Sequence, residues 1–264
     1  MDKRFAVLID ADNVAPKFIG SIMDELSNEG TITYKRIYGD WTRPDLGPWK
    51  RVLLDYSITP IQQYSYTVGK NATDSAMIID AMDILYAGKV DGFCIVSSDS
   101  DFTRLAARLR ESGVYVIGMG EKKTPKPFIA ACDKFKYLEV LAKAGVAEER
   151  VVQQVPTTEQ TQQSAHNGSK ETAAHSSETP QTSMKTIRKA IIAIVDEISD
   201  DDGWAPLSHI GNILLKRYPD FDVRNYGFLK LTKLMKSCNC FEIKAESSKE
   251  GNKLVYVRNI DDAK

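Results

Sequence analysis

The hydrophobic residues of the first 145 positions form short apolar runs that alternate with longer stretches of helical period. The runs are mostly continuous and rich in β-branched and aromatic residues, which is typical of strands covered on both faces. They lie at Phe5–Ile9, Thr33–Tyr38, Pro60–Tyr64, Phe93–Val96 and Val114–Met119. The helical stretches between them are Lys17–Asn28, Gly47–Tyr56, Asp74–Ala87 and Phe102–Ser112. This order predicts an α/β fold with a parallel sheet and helices on both faces, whose ligand site lies beyond the carboxyl ends of the strands.

Residues 184–260 follow a different pattern. Apolar positions from Ser183 to Ser199 form one helical stripe, and Pro206 opens a second helix that Tyr218-Pro219 ends. The remaining predicted elements are a helix at Tyr226–Lys236 and strands at Phe241–Lys244 and Lys253–Arg258. Three helices followed by a hairpin predict a small winged helix-turn-helix domain.

The segment between these units has a composition unlike either of them. Residues 146–183 are rich in Thr, Ser and Gln and contain no Phe, Trp or Tyr. Such a segment buries too little apolar area to offset its ordering entropy, which predicts a flexible linker. The sequence therefore predicts two domains, at 1–145 and 184–260.

Composition predicts an ordinary globular protein without a membrane span. The chain has 264 residues, of which 42% are hydrophobic and 27% charged, as in ordinary globular proteins. No apolar stretch approaches the ~18 residues of a membrane span, and the run after Phe5 ends at Asp10, which predicts a strand and not a signal peptide. Four cysteines are too few for a disulfide scaffold and favour reduced thiols in the cytoplasm.

The net charge of −1 conceals an uneven distribution. Residues 184–260 carry 13 Lys and Arg against 10 Asp and Glu, a balance of +3. This balance suits a polyanionic partner of the C-terminal unit but leaves the function open.

Five aspartates follow predicted strands or open a predicted helix. They are Asp10 and Asp12 after the first strand, Asp74 at the start of the third helix, and Asp99 and Asp101 after the fourth strand. Strand ends and helix starts of this kind meet at one rim of a parallel sheet. Clustered carboxylates repel one another unless a cation lies among them, and Mg²⁺ or Mn²⁺ takes such oxygen ligands. The pattern predicts a metal site that can activate water for phosphodiester hydrolysis.

Helix capping is the alternative role for these residues. An aspartate at a helix start is stabilised there without any metal, which accounts for Asp74, Asp99 or Asp101 taken singly. Capping does not account for two separate strands that end in Asp-x-Asp at the same edge, so the set favours a metal. Asp80 and Asp83 lie about 240° and 180° around the helix from Asp74, and we predict that they are solvated or structural.

Four motifs follow one another along the first domain, at Leu8–Asn13, Tyr38–Trp41, Gly69–Asp74 and Ser97–Phe102. Together they resemble the NYN domains of the LabA-like group, in the PIN-like nuclease superfamily, and the resemblance covers residues 4 to 141. It implies a PIN-like sheet and divalent-metal hydrolysis of RNA that leaves a 5′ phosphate and a 3′ hydroxyl.

The resemblance also implies roles for single residues. Asp10, Asp74 and Asp99 match the core acids of the family. Asp12 and Asp101 match its supporting acids, and Asn13 matches the position that orients the first carboxylate. The metal ligands expected for Mg²⁺ or Mn²⁺ are Asp10, Asp74, Asp99 and Asp101.

The C-terminal unit also contains a recognisable set of segments, at Trp204–Leu207, Gly211, Tyr218–Asp222, Tyr226-Gly227 and Val255–Arg258. They resemble a LOTUS domain, also called OST-HTH, over residues 184 to 259. That family is associated with RNA binding and with partner proteins in RNA granules. The resemblance therefore implies RNA as a partner and leaves open a protein partner as well.

Basic and aromatic residues supply candidates for RNA contacts. Near the rim, cations interleaved with rings suit a single strand, whose phosphates and bases they contact. The candidates are Trp41, Arg43, Lys70 and Asn71 in the first domain and Arg224, Lys230 and Lys233 in the second. A solvated surface would look similar, except that Lys70 belongs to the family motif.

The sequence therefore predicts a metal-dependent ribonuclease, with a PIN-like catalytic domain tethered to a LOTUS domain that binds single-stranded or structured RNA. Two alternatives stay open. One is a non-catalytic RNA-binding adaptor, in which the acidic pocket is vestigial or holds a structural cation. The other is a nuclease acting on single-stranded DNA or flaps, since no residue visibly reads the 2′-hydroxyl.

Overall fold

The N-terminal part of the chain is built on a six-stranded parallel sheet. A computed structural model describes residues 2–64, 72–144, 181–247 and 253–260. The strands are β1 (Arg4–Asp10), β2 (Thr31–Gly39), β3 (Thr59–Gln62), β4 (Gly92–Val96), β5 (Tyr115–Gly120) and β6 (Lys134–Tyr137). Their order is β3-β2-β1-β4-β5-β6, and every neighbouring pair is parallel.

Helices cover both faces of this sheet and create two apolar cores. They are α1 (Ile19–Ser27), α2 (Trp49–Asp55), α3 (Ala72–Tyr86), α4 (Thr103–Glu111), α5 (Lys126–Ala131) and α6, which covers 138–144. Side chains of β1 alternate between the faces, so that Val7 and Ile9 pack with α1 and α2 while Ala6 and Leu8 pack with α3 and α4. The predicted fold class is confirmed.

Three elements at the end of this domain were not predicted. These are α5, β6 and α6, between residues 126 and 144. In β6, Lys134 and Lys136 alternate with Phe135 and Tyr137, and this four-residue run lacks the apolar continuity of the inner strands. A short strand with alternating lysines is typical of a sheet edge, which is where β6 lies.

The C-terminal part is a small helical domain with a three-stranded antiparallel sheet. Its elements are α7 (Met184–Ile198), β7 (Ala205–Pro206), α8 (Leu207–Arg217), α9 (Leu231–Ser237), β8 (Phe241–Ser247) and β9 (Lys253–Asn259). The strand order is β7-β9-β8. Ile187, Ile191 and Ile194 of α7 are fully buried against α8, α9 and the sheet, as the apolar stripe predicted.

The prediction of one helix over Tyr226–Lys236 was wrong at its start. Residues Val223–Tyr226 form a 3-10 turn that the Asp222 side chain caps. Gly227 then adopts the left-handed conformation with φ 81°, which interrupts the helical path, and α9 begins only at Leu231.

Most of the predicted linker lies outside the described residues. The described end of that segment, 181–183, lies against the C-terminal domain: the Thr182 backbone N–H and hydroxyl donate to the Asp220 carboxylate at 2.9 and 2.8 Å. Within the described ranges, none of the helices has the length and apolarity that crossing a bilayer requires.

Candidate active site

The strand order has a topological switch point at β1. The chain builds β2 and β3 on one side of β1 and then β4, β5 and β6 on the other, so β1 and β4 are neighbours at the switch point. In open parallel sheets, ligands bind at such a point, beyond the carboxyl ends of the strands. Asp10 is the last residue of β1, Asp99 follows β4, and Asp74 lies in the first turn of α3.

Asp10 is fully buried and accepts three hydrogen bonds. Its Oδ2 atom accepts from Asn13 Nδ2 and from Ser97 Oγ, both at 2.7 Å, and its Oδ1 atom accepts from the Asp12 backbone N–H at 3.0 Å. Burial raises the pKa of Asp10, while the hydrogen bonds from Ser97 and Asn13 act in the opposite direction. The protein itself therefore fixes the orientation of this carboxylate.

Ser97 connects the two strand ends that carry the acidic residues. Its buried hydroxyl donates to Asp10 and accepts the backbone N–H of Asp99 at 3.1 Å. Asp99 in turn accepts the N–H of Asp101 at 2.9 Å and caps the 3-10 turn Ser100–Phe102. Capping and metal binding are compatible for Asp99, because a carboxylate has two oxygens and several lone pairs.

Asp74 has a raised pKa, to which the other carboxylates contribute. Its pKa is raised to about 6, first by burial and then by the negative charges of Asp10, Asp99, Asp101 and Asp12. A nearby like charge disfavours the ionised form of a carboxyl group. The five aspartates therefore share one electrostatic environment at the rim of the sheet.

The donor chemistry of this rim suits a divalent cation. Carboxylate oxygens are the ligands that Mg²⁺ and Mn²⁺ prefer, and a cation would offset the mutual repulsion. Across the described ranges, however, no three His, Cys, Asp or Glu side chains lie close enough together to hold an ion as they stand. Repulsion between charges extends over longer distances than ligation, so both observations hold. The charges and donor atoms of the rim therefore fit a cation.

Two of the predicted RNA contacts lie beside this rim, in the loop after β2. Arg43 Nη1 donates to Asp12 Oδ1 at 2.7 Å, and the same guanidinium pairs with Asp45. The Trp41 ring N–H donates to the Ile61 backbone oxygen at 3.0 Å. Arg43 and Trp41 are thus held near the acidic residues by contacts within the domain.

The other predicted RNA contacts are distributed differently. Lys70 and Asn71 lie outside the described residues. Lys230 and Lys233 are exposed at the start of α9. Arg224 instead pairs with carboxylates of both domains.

Several candidate functional residues were not predicted from the sequence, although each follows a predicted strand. One is Ser97. A second group consists of the lysines after β5, Lys122, Lys123 and Lys126. The Glu121 N–H donates to Ser98 Oγ at 2.8 Å, which brings this loop beside the Asp99 turn. A Cβ atom on Gly120 would lie 2.6 Å from the Ser97 carbonyl oxygen, so glycine permits the close approach.

Asp80 has a structural role, as expected. Its carboxylate contacts the Arg36 guanidinium and the Tyr38 hydroxyl, both on β2. This contact anchors α3 to β2 on the side away from the rim residue Asp74. Asp83 is exposed on the same helix.

The sheet order and the aspartates at the switch point define an α/β domain with an acidic candidate site. A model of the NYN domain matches residues 4–139, and a model of the OST-HTH/LOTUS domain matches residues 182–252. The chain therefore belongs to the NYN-domain family, which is part of the PIN-like nuclease superfamily, and it carries a LOTUS domain after the NYN domain.

Comparisons with individual proteins add little to this assignment. A crystal structure of a protein of unknown function from Vibrio parahaemolyticus is 20% identical, with a TM-score of 0.44, and covers 52% of this chain and 93% of its own. A solution structure of an uncharacterized protein from Nitrosomonas europaea is 35% identical, with a TM-score of 0.26, and covers 37% of this chain and 92% of its own. Among curated proteins, none matches.

Proposed function

We propose that this chain is a metal-dependent ribonuclease, in which the NYN domain cleaves RNA and the LOTUS domain binds it. The observation that carries the proposal is the convergence of five aspartates at the switch point, where the pKa of Asp74 is raised to about 6, first by burial and then by the charges of the other four. Repulsion of this kind is unfavourable unless a cation offsets it. Members of the NYN and PIN-like group generally use divalent metals, which supports the same conclusion.

Asp10, Asp74 and Asp99 would hold Mg²⁺ or Mn²⁺, with Asp101 as a further ligand. When bound, the ion would acidify a water and stabilise the charge that develops on the scissile phosphate. The chain contributes the orientation of the ligands: Asn13 and Ser97 fix the Asp10 carboxylate. Partners of this kind typically change metal affinity or activity by about 10–100-fold.

The basic residues around the rim support a path for single-stranded RNA. Arg43 and Trp41 lie on the β2 side of the acidic residues, and the lysines Lys122, Lys123 and Lys126 lie on the β5 side. Cations and a ring in this arrangement would bind phosphates and stack on bases. The resemblance adds Lys70 and Asn71, and in the LOTUS domain the exposed pair Lys230 and Lys233 would bind further along the RNA.

A non-catalytic RNA-binding adaptor is the second candidate. One observation favours it: the carboxylates of Asp10 and Asp99 already accept local hydrogen bonds, which stabilises the loops without any ion. In an adaptor these residues would shape the rim for RNA and no cleavage would occur.

The deciding experiment compares end-labelled RNA and DNA strands of the same sequence. We expect the purified chain to cleave the RNA in Mn²⁺ and to lose this activity in chelator. Asp10→Asn should abolish cleavage, whereas the matched control Asp83→Asn, an exposed aspartate of α3, should not. RNA binding without cleavage would establish the adaptor, and preferred cleavage of the DNA would establish a DNA nuclease.

The cellular compartment is a further part of the proposal. We propose a cytoplasmic location, which the four free cysteines, Cys94, Cys132, Cys238 and Cys240, support.

A further inference from the structure

The C-terminal domain contacts the NYN domain along β6, the edge strand of the parallel sheet. The Phe135 backbone N–H donates to the Pro219 carbonyl oxygen at 2.8 Å, and the Tyr137 hydroxyl donates to Asp220 Oδ2 at 3.2 Å. An edge strand exposes backbone groups that can pair with another chain, and proteins cover or charge such edges. Here the loop that follows α8 covers it.

Four charged residues close this contact, and we refer to them as the ionic clasp: Glu25, Lys136, Asp222 and Arg224. Lys136 Nζ lies 3.1 Å from a Glu25 oxygen and 2.5 Å from an Asp222 oxygen. The Arg224 guanidinium binds both Glu25 oxygens at 2.9 Å and also pairs with Asp222. Positive and negative groups thus alternate around the cluster, and each domain contributes one of either sign.

The clasp is largely removed from solvent. The side chains of Lys136 and Asp222 are 8% and 9% exposed, and that of Glu25 is 13% exposed. Burial alone would raise the pKa of Asp222, but hydrogen bonds from Arg224 and the charge of Lys136 hold it well below its usual range. Charges that are paired in this way cannot lose a partner without leaving another buried and uncompensated.

The loop that carries the clasp is braced within its own domain. Asp220 accepts two hydrogen bonds from Thr182, and Asn225 Nδ2 donates to the Asp220 carbonyl oxygen at 2.7 Å. The Tyr226 hydroxyl donates to the Thr182 carbonyl oxygen at 2.9 Å. A loop held in shape by its own domain presents its charges to the NYN domain at little entropic cost.

We propose that this surface docks the C-terminal domain on the β6 edge of the same chain in solution, and that the ionic clasp specifies the docked position. The role of Arg224 is then docking and not phosphate binding. The connecting residues 145–180 tether two domains that are already in contact. The proposal is independent of catalysis, because no residue of the clasp belongs to the acidic rim.

Residue-resolved amide exchange of the intact chain, in chelator and without RNA, tests the proposal. We expect the Phe135 amide to be protected in the wild type, and Arg224→Gln to speed its exchange by on the order of tenfold or more. The matched control is Arg258→Gln, which removes an arginine paired with Glu242 inside the C-terminal domain, and it should leave β6 unchanged. Rapid exchange of the Phe135 amide in the wild type would overturn the proposal.

Two further measurements distinguish docking from unfolding and from dimer formation. If Arg224→Gln also accelerates exchange in α7, its domain has unfolded, and Lys136→Met then provides the test from the NYN side. In that variant, faster exchange in residues 219–224 with α7 protected supports docking, and unchanged exchange contradicts it. The mass in solution shows whether the C-terminal domain on β6 belongs to the same chain or to a second copy. If the Phe135 amide is protected only in a dimer, and loses this protection when dilution dissociates the dimer, the surface binds a second copy. That result would overturn docking within the chain.

Discussion

Replacing Asp74 with asparagine should stabilise the chain in the absence of metal at pH 8. Burial and, after it, the charges of four other aspartates raise the pKa of Asp74 to about 6. The folded chain holds this proton more tightly than the unfolded chain does. The proton therefore stabilises the fold below about pH 4, and this contribution is lost as the pH rises through about 6. An asparagine amide at this position would carry no charge to be repelled.

The structure sets the size of this effect. The pKa of Asp74 rises from an ordinary 3.8 to about 6, and each pKa unit corresponds to about 1.4 kcal/mol, which bounds the effect at about 3 kcal/mol. Because the side chain is only half-buried, solvent screening reduces this to about 1.5 kcal/mol. Losing a negative charge in the first turn of α3 costs about 0.3–1 kcal/mol. The net gain is then about 0.5–1 kcal/mol, because removing a charge that is both partly desolvated and repelled outweighs the loss at the helix end.

Thermal melts in chelator at pH 4 and pH 8 measure this prediction. At this chain length, 1 kcal/mol corresponds to a shift in Tm of about 2–4 °C. We expect Asp74→Asn to gain about 1–4 °C at pH 8 and nothing at pH 4, while Mn²⁺ stabilises the wild type more than the variant. The control Asp83→Asn should show neither effect. A loss of about 1 kcal/mol or more at pH 8 would refute the reasoning, because capping would then outweigh repulsion.

Two further predictions concern orientation and RNA binding. Ser97→Ala should lower the cleavage rate by about 10–100-fold with the fold retained, because Asp10 loses an orienting hydrogen bond; initial rates at saturating Mn²⁺ and a melt measure this. Lys230→Ala combined with Lys233→Ala should weaken RNA binding and reduce its salt slope by about 1–2, measured by fluorescence anisotropy at several salt concentrations.

The controls for these predictions lie in the same chain. Lys185→Ala with Lys189→Ala removes an exposed lysine pair from α7 and should leave the salt slope unchanged. An equal effect of both pairs would mean that the C-terminal domain binds RNA only through its total charge. Full activity of Ser97→Ala would show that Asn13 and the Asp12 backbone suffice to orient Asp10.

The inner part of the fold was predictable because its signals are local. The continuous apolar runs at β1, β4 and β5 indicate strands that are buried on both faces. The polar residues that follow these runs indicate the rim of the sheet. Once the strands are known to be parallel, Asp10 and Asp99 must reach the same edge. The contact between Ser97 and Asp10 depends on the register of β1 against β4, which the sequence pattern does not encode.

The edge of the sheet was less predictable because it lacks the local hydrophobic signal of the inner strands. In β6, lysines replace the apolar residues on one face, because that face meets Glu25 and Glu29 of the region around α1 instead of a hydrocarbon core. A strand whose partners are charges lacks the hydrophobic signal on which strand prediction depends. The start of the third helix of the C-terminal domain was predicted wrongly for a different reason. Gly227 is tolerated in a helical pattern, but here it adopts a positive φ.

Arg224 shows how distant charges change the interpretation of a residue. In the sequence it precedes Lys230 and Lys233 and resembles the start of a phosphate-binding stripe. In the structure its guanidinium is shared between Asp222, two residues before it, and Glu25, at a sequence separation of 199. A phosphate would have to displace Glu25 or Asp222 from the guanidinium of Arg224, which is half-buried. Lys136 would then have to balance the displaced carboxylate in addition to its other partner, which is unfavourable for buried charges. Docking of the domains therefore competes with RNA binding at Arg224. Among the predicted RNA contacts of the C-terminal domain, the exposed Lys230 and Lys233 would stay accessible while the clasp is closed.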